Sequence, residues 1–279
     1  MKKLYIIPLL LIFVFSSCEK VVEVDLPSIA PKLVVDATFE VYFDEDPVTA
    51  DTSVKLTLTT DFFDENIPPL NSATVFVTNL VDNSVINYTN VDDNGFYNAT
   101  TNFIPEDDVA YELTIIYNNE TYKSIPTKKI KSAPITNIFQ TSRLFFVDEV
   151  IELQISFDDV ADEDSFYLFN LSGGEFSLVS DRLFTNGSTI TISEFYDPED
   201  FDLPETILLK MSGIDVAYFN YFRILSSQGG TGGGGPFETV PSTLLGNILN
   251  KTTDANFPLG YFHISETNTV SVTLNEIEN

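Results

Sequence analysis

A mainly β fold is what the sequence predicts, on three observations. Residues 54–59, 73–78 and 151–157 alternate apolar and polar side chains with period two, the mark of a half-buried strand. Asn, Gly and Pro punctuate these runs at short intervals. A single stretch, 215–228, changes to helical spacing. Strands of five or six residues at this regular spacing predict an N-terminal immunoglobulin-like β-sandwich at 32–125, followed by a second β-rich domain at 135–279 that carries one α-helix.

The elements follow in order. Residues 32–43 are β-rich, and 54–59 and 73–78 are alternating strands. Asp93-Asn94-Gly95 before Phe96-Tyr97 reads as a turn leading into a strand. Residues 111–117 and 121–125 form a hairpin whose turn, Asn118-Asn119, supplies left-handed residues. Residues 126–134 run from one proline to another and hold Lys128, Lys129 and Lys131, which reads as an interdomain link: a solvated connection, or a basic contact for an acidic partner. Strands resume at 151–157 and 165–171, with Gly173-Gly174 as a turn, then at 175–179 and 189–193. In 215–228, Val216, Phe219, Tyr221, Phe222, Ile224 and Leu225 recur at helical spacing. Asp215 can cap the start of this helix, and Gly229-Gly230 can end it. A Gly-rich loop follows at 229–236, and 247–249, 259–264 and 269–274 close the chain as strands.

The first 18 residues are of another kind. Met-Lys-Lys precedes an apolar run from Leu4 to Phe15 and then Ser16-Ser17-Cys18, the layout of a secretory signal at 1–17. The run is shorter than the about 20 apolar residues a spanning helix needs. Cys18 is the only cysteine and stands where a lipoprotein signal places its acylated residue, so a covalent lipid anchor is expected there, with 18–31 as an acidic, Pro-bounded tether. Phe15 occupies the position where an aliphatic residue is usual.

Composition removes several classes of function. The net charge of −28, from 14 basic against 42 acidic residues, leaves no basic surface for nucleic acid. Such a charge also repels anionic headgroups, so a lipid rather than a polybasic patch must hold the membrane. One histidine, His263, leaves no room for a multi-histidine zinc site, and its place in an aromatic strand suits a structural role. No catalytic residue is predicted. The acidic group Asp158, Asp159, Asp162 and Asp164 is the best calcium candidate, although its spacing is not that of an EF-hand; solvated loop ends that keep edge strands from pairing are the plainer account of it. Gly229, Gly230, Gly232, Gly233, Gly234 and Gly235 do not make a phosphate cradle, because the helix comes before them and no Lys-Ser or Lys-Thr follows. Together with Phe237 and the rings of Tyr218, Tyr221 and Phe222 they are candidates for contact with a partner, since Tyr and Phe anchor interfaces.

Several segments together resemble a known family. Cys18 followed by Val-Glu-Val-Asp25-Leu-Pro27, then Pro31-Lys-Leu-Val-Val-Asp36-Ala, is similar to the N-terminus of the DUF4249 family of Bacteroidota outer-membrane lipoproteins. Asn94-Gly95-Phe-Tyr97 fits as well, and the pairing of Gly246-Asn247-Ile248 with Leu259-Gly260-Tyr261-Phe262 is the most specific part. The glycine run is longer here than the family's short Gly-Gly-Pro segment. The resemblance implies a lipid-anchored outer-membrane protein acting as surface-side partner of a TonB-dependent-receptor-like β-barrel, and the expected function is that of accessory partner to such a barrel or to an outer-membrane assembly complex. It brings no catalytic residues and no cofactor beyond the lipid. A standalone binder of glycan or peptide ligands is the alternative that the aromatic rings keep open.

Overall fold

The computed structural model describes residues 30–61, 64, 66–145, 148–161, 163–171, 176–229 and 243–277. The signal and most of the tether, Cys18 included, therefore lie outside the described residues. The first strands are β1 (Leu33–Tyr42), β2 (Thr49–Asp51), β3 (Val54–Leu58), β4 (Thr74–Asn79), β5 (Val85–Thr89), β6 (Phe96–Ala99), β7 (Ala110–Tyr117), β8 (Glu120–Ser124) and β9 (Thr127–Lys128). After them come β10 (Ile135–Phe145), β11 (Asp148–Asp158), β12 (Phe166–Asn170), β13 (Phe176–Ser180), β14 (Thr189–Tyr196) and β15 (Glu205–Ile214). The helix α1 (Val216–Gly229), β16 (Ile248–Asn250) and β17 (Leu259–Leu274) complete the chain.

Alternation builds the first sandwich. β1 turns Leu33, Val35, Ala37, Phe39 and Val41 inward and presents the residues between them on its other face. It pairs with β2 and β3, and β3 hands the sheet to β6. From there the strands run β5, β4, β7, β8, β16, with β9 added to β7. The inward residues of β1, β3 and β17, such as Phe39, Leu56 and Phe262, meet Val77, Leu113, Ile115 and Tyr122 from β4, β7 and β8 in one core. Each fully buried ring of this kind stabilises the fold by about 1.5–3 kcal/mol.

A second pair of layers faces inward in the same manner. β10, β11 and β14 form an antiparallel three-stranded sheet. Its Ile155, Phe157 and Ile190 pack on Tyr167 and Phe169 of β12 and on Leu209 and Met211 of β15. Ile151, Leu153 and Tyr196 continue that core towards Ile207 and Leu274.

One strand serves both cores. Residues 259–267 of β17 run parallel to β1, with Val34 opposite Leu259 and Tyr42 opposite Thr267. Residues 267–274 pair with β15, with Ser212 opposite Thr267 and Glu205 opposite Leu274. The sequence suggested two strands here, at 259–264 and 269–274, because the polar residues Ser265-Glu266-Thr267-Asn268 break the apolar pattern. They remain strand because Ser265 and Glu266 pair with β1, Asn268 pairs with β15, and Thr267 pairs with both.

The domain division at 126–134 needs a corresponding correction. β16 and the first half of β17 lie beyond that point in the chain, yet they belong to the first sandwich. Nor is 126–134 a solvated link. Thr127 and Lys128 pair with β7, Ile130 forms a parallel bridge to Ser265, and the Lys129 ammonium lies 2.6 Å from Asp107 and 3.6 Å from Glu266. The acidic contact expected for these lysines is thus met within the chain by Lys129.

Candidate functional site

Helix α1 lies on the outer face of the sheet formed by β1, β17, β15 and β12. Asp215 sets where it starts: the Tyr218 N–H donates to Asp215 Oδ1 at 2.7 Å and the Phe219 N–H to the Asp215 carbonyl at 2.9 Å. The first turn then places Tyr218 flat on His263, ring centroids 4.4 Å apart and planes 4° from parallel. The Tyr218 hydroxyl and Thr38 Oγ1 share a hydrogen bond of 3.3 Å. Phe219 packs on Phe166 and Phe222 on Phe176. Replacing Asp215 by Ala should cost about 1 kcal/mol through loss of the cap, read as an earlier urea midpoint.

His263 is wholly buried. Its Nε2 stands 3.4 Å from the Gly213 carbonyl, and Nδ1 has no hydrogen-bond partner among the described residues. Burial pushes its pKa down to about 4 against the opposing pull of the Asp215 carboxylate, so the ring is neutral at pH 7. The structural role expected of His263 fits this position.

Beside the Tyr218–His263 stack the helix and sheet enclose a groove of about 490 Å³. Its floor is Val34, Asp36 and Thr38 of β1 with Gly260 and Tyr261 of β17; its helical wall is Tyr221, Phe222 and Leu225, and Thr243 and Leu244 border the far side. The Tyr221 and Tyr261 rings are 4.8 Å apart and both half-buried. Asp36 lies opposite Tyr261 in one register pair and opposite Lys55 in another. Its carboxylate is reached by solvent, but crowding by the surrounding side chains raises its pKa above the usual range, with the Lys55 charge and a Thr38 hydrogen bond pulling the other way. Burial likewise raises the phenols: Tyr261 to about 12, and Tyr221 upward with the Asp36 charge adding to it. Both phenols remain protonated donors at neutral pH. A more polar concavity of about 460 Å³ lies between residues 50–53 and 98–103.

The groove gathers some of the predicted contact residues and corrects others. Tyr221 and Phe222 form its wall. Tyr218 is only 5% exposed and belongs mainly to the core, because the first turn of α1 presses it onto His263. Gly229 is the last residue of α1. Gly230, Gly232, Gly233, Gly234, Gly235 and Phe237 lie outside the described residues. Asp36, Thr38 and Tyr261 had no predicted site role; the signal was the outward row of β1, which becomes legible only once α1 is known to lie across it.

Three of the calcium candidates accept hydrogen bonds from neighbouring residues. Asp159 accepts from the Tyr167 hydroxyl at 2.9 Å and the Gly187 N–H at 3.0 Å, Asp164 accepts from Arg182 at 2.6 Å, and Asp158 from the Thr189 hydroxyl at 2.6 Å. Asp162 lies outside the described residues. Among the described residues no group of three or more His, Cys, Asp or Glu is placed to hold a metal ion, and no helix is long and apolar enough to cross a membrane.

The most specific part of the resemblance now has a physical meaning. Asn247 binds both polar groups of the Phe262 backbone, donating to its carbonyl and accepting from its N–H, each at 2.8 Å. Gly246 sits so near that a Cβ there would be 1.6 Å from the Gly260 carbonyl oxygen. The family model of a domain of unknown function, DUF4249, matches residues 19–271. The chain belongs to the DUF4249 family. No curated protein matches it. In this DUF4249 chain the matched region takes in the first core, all of the second but its far end at Leu274, α1 and the whole groove.

Proposed function

We propose that this DUF4249 protein is a non-catalytic outer-membrane lipoprotein, anchored through a lipid on Cys18 and acting at the cell surface as accessory partner of a TonB-dependent-receptor-like β-barrel or an outer-membrane assembly complex. The observation that carries the reading is the groove: concave, preformed, walled by rings and open to solvent, it suits gripping a partner or ligand. Its one acid faces phenols that keep their protons, which supplies binding contacts rather than an acid–base pair. The signal-like start, the lone cysteine and the family resemblance support the membrane location.

Purification of the tagged protein under mild detergent should bring down a barrel protein in stoichiometric amount; a lone lipoprotein would overturn the accessory role. Cys18→Ser should move the protein out of the membrane fraction, a drop of about tenfold or more, because no second anchor of comparable strength is expected on so acidic a body. Fractionation with immunoblotting checks it. The second reading, a standalone binder of glycan or peptide ligands, draws on the same groove and would be favoured by ligand capture with no barrel present.

A further inference from the structure

Among the described residues the chain twice builds the same small arrangement around an arginine. The Arg182 guanidinium lies 5.1 Å from the centre of the Phe166 ring while its Nε and Nη2 donate to Asp164 Oδ2 at 3.0 and 2.6 Å. Arg143 lies 5.7 Å from the centre of the Phe195 ring, with Nη1 3.8 Å from Glu152. A planar cation, a ring face and a carboxylate recur together because guanidinium stacks on aromatic faces and offers paired N–H groups to a carboxylate.

The groove beside α1 contains two of these three parts. Asp36 supplies the carboxylate and Tyr221 and Tyr261 the ring faces. The cation is missing: among the described residues Asp36 forms no salt bridge, and Lys55, its neighbour across the strands, is directed over the Phe96 ring, 5.2 Å from its centre. The groups facing Asp36 are the Thr38 hydroxyl, the Lys55 ammonium and the Tyr218 and Tyr221 phenols, none of which neutralises it at contact.

We infer that the groove is a receptor for an arginine side chain presented by an extended segment of a partner protein. The guanidinium donates to Asp36 and lies on the Tyr221 and Tyr261 faces, while its aliphatic stem runs along Phe222 and Leu225. A neutral sugar could stack on the same rings but would gain nothing from the unpaired charge. A lysine ammonium would meet the charge but has no planar face to lay against a ring. The net charge of −28 raises the local concentration of cationic segments and speeds their encounter. This inference rests on the reading of the protein as a binding partner and names what it grips.

The test uses the full-length protein purified in detergent and four probes: the capped peptide Gly-Ser-Arg-Ser-Gly, its isosteric citrulline analogue, its lysine analogue, and maltotriose. Calorimetry at low salt should show the arginine peptide binding about tenfold or more tighter than the citrulline peptide, with lysine between them. Asp36→Asn should reduce the arginine peptide to the citrulline level, and Tyr221→Ala should weaken it by a similar factor. Thermal melting confirms that both variants fold. Equal binding of arginine and citrulline peptides, an Asp36→Asn affinity within about twofold of the parent, or maltotriose bound in preference to the peptides would overturn the inference. Failure of the barrel pull-down with arginine binding intact would remove the accessory role and leave this site standing; the converse would remove the site alone.

Discussion

Gly260→Ala should destabilise the protein by about 3–5 kcal/mol, at the top of the range for single substitutions. Three facts meet at this residue. Its φ of +98° is a region L side chains rarely adopt. A Cβ there would be 1.8 Å from the Val35 carbonyl oxygen, its register partner in β1. The obstacle is backbone, within the parallel pair that joins β17 to the first sandwich, so no side chain can swing away to relieve it. Gly246 already packs closely against the Gly260 carbonyl, which leaves this backbone little room to shift. Gly95→Ala is the internal comparison: its φ is +82°, but the nearest atom, the Leu56 carbonyl oxygen, is 2.6 Å from the Cβ position. Urea unfolding should rank Gly260→Ala well below Gly95→Ala, and Gly260→Ala should also distort the groove floor that this residue helps to line. Equal and mild losses at the two glycines would contradict the packing described for β17.

Parts of the fold are legible in the sequence for a physical reason that can be named strand by strand. β3, β4 and β7 have one face on a core and the other towards solvent over much of their length, so their alternation is written in the residues. Helix α1 announces itself by a change of period and by Asp215. β10 and β15 are harder to read. A register shift between Ile135 and Asn137 breaks the alternation of β10 at its start. β15 ends in Met211-Ser212-Gly213-Ile214, all buried, where a small residue is needed because a Cβ on Gly213 would be 1.9 Å from the Lys131 carbonyl oxygen.

The groove was half legible. Aromatic residues at helical spacing pointed to Tyr221 and Phe222, but the same spacing also included Tyr218, which the fold buries. Asp36 reads as one more outward residue of a strand. Its significance comes from β17 being parallel to β1 and from α1 crossing over both, long-range facts that no local pattern encodes.

The second large effect belongs to His263 and concerns pH. In the unfolded chain its imidazole has an ordinary pKa of 6.5, whereas burial in the folded protein lowers it to about 4. Between these values the unfolded chain binds a proton that the folded protein refuses. The contribution is therefore fully present above pH 6.5 and is lost as pH falls from 6.5 towards 4, a total of about 3 kcal/mol, of which about 2 kcal/mol is gone by about pH 5. Carboxylates whose pKa the fold lowers, such as Asp107 beside Lys129 and Glu152 beside Ser193, also lose stabilisation in acid. Their losses begin near the ordinary carboxylate values of 3.8 and 4.5, and Asp36, whose pKa the fold raises, shifts stability the opposite way as pH falls, so the histidine's share is the difference between parent and variant. His263→Leu removes the titration and also the unpaired Nδ1, at the cost of the stacking on Tyr218 and the long contact to the Gly213 carbonyl. At pH 7 the variant should lie within about 1–2 kcal/mol of the parent. Urea unfolding between pH 7.5 and 5, on the order of six points, should then show the parent's stability falling by about 2 kcal/mol while the variant's stays nearly level. Parallel curves for the two proteins would mean that His263 can be protonated in the folded state, and hence that the Tyr218 ring does not seal it from water.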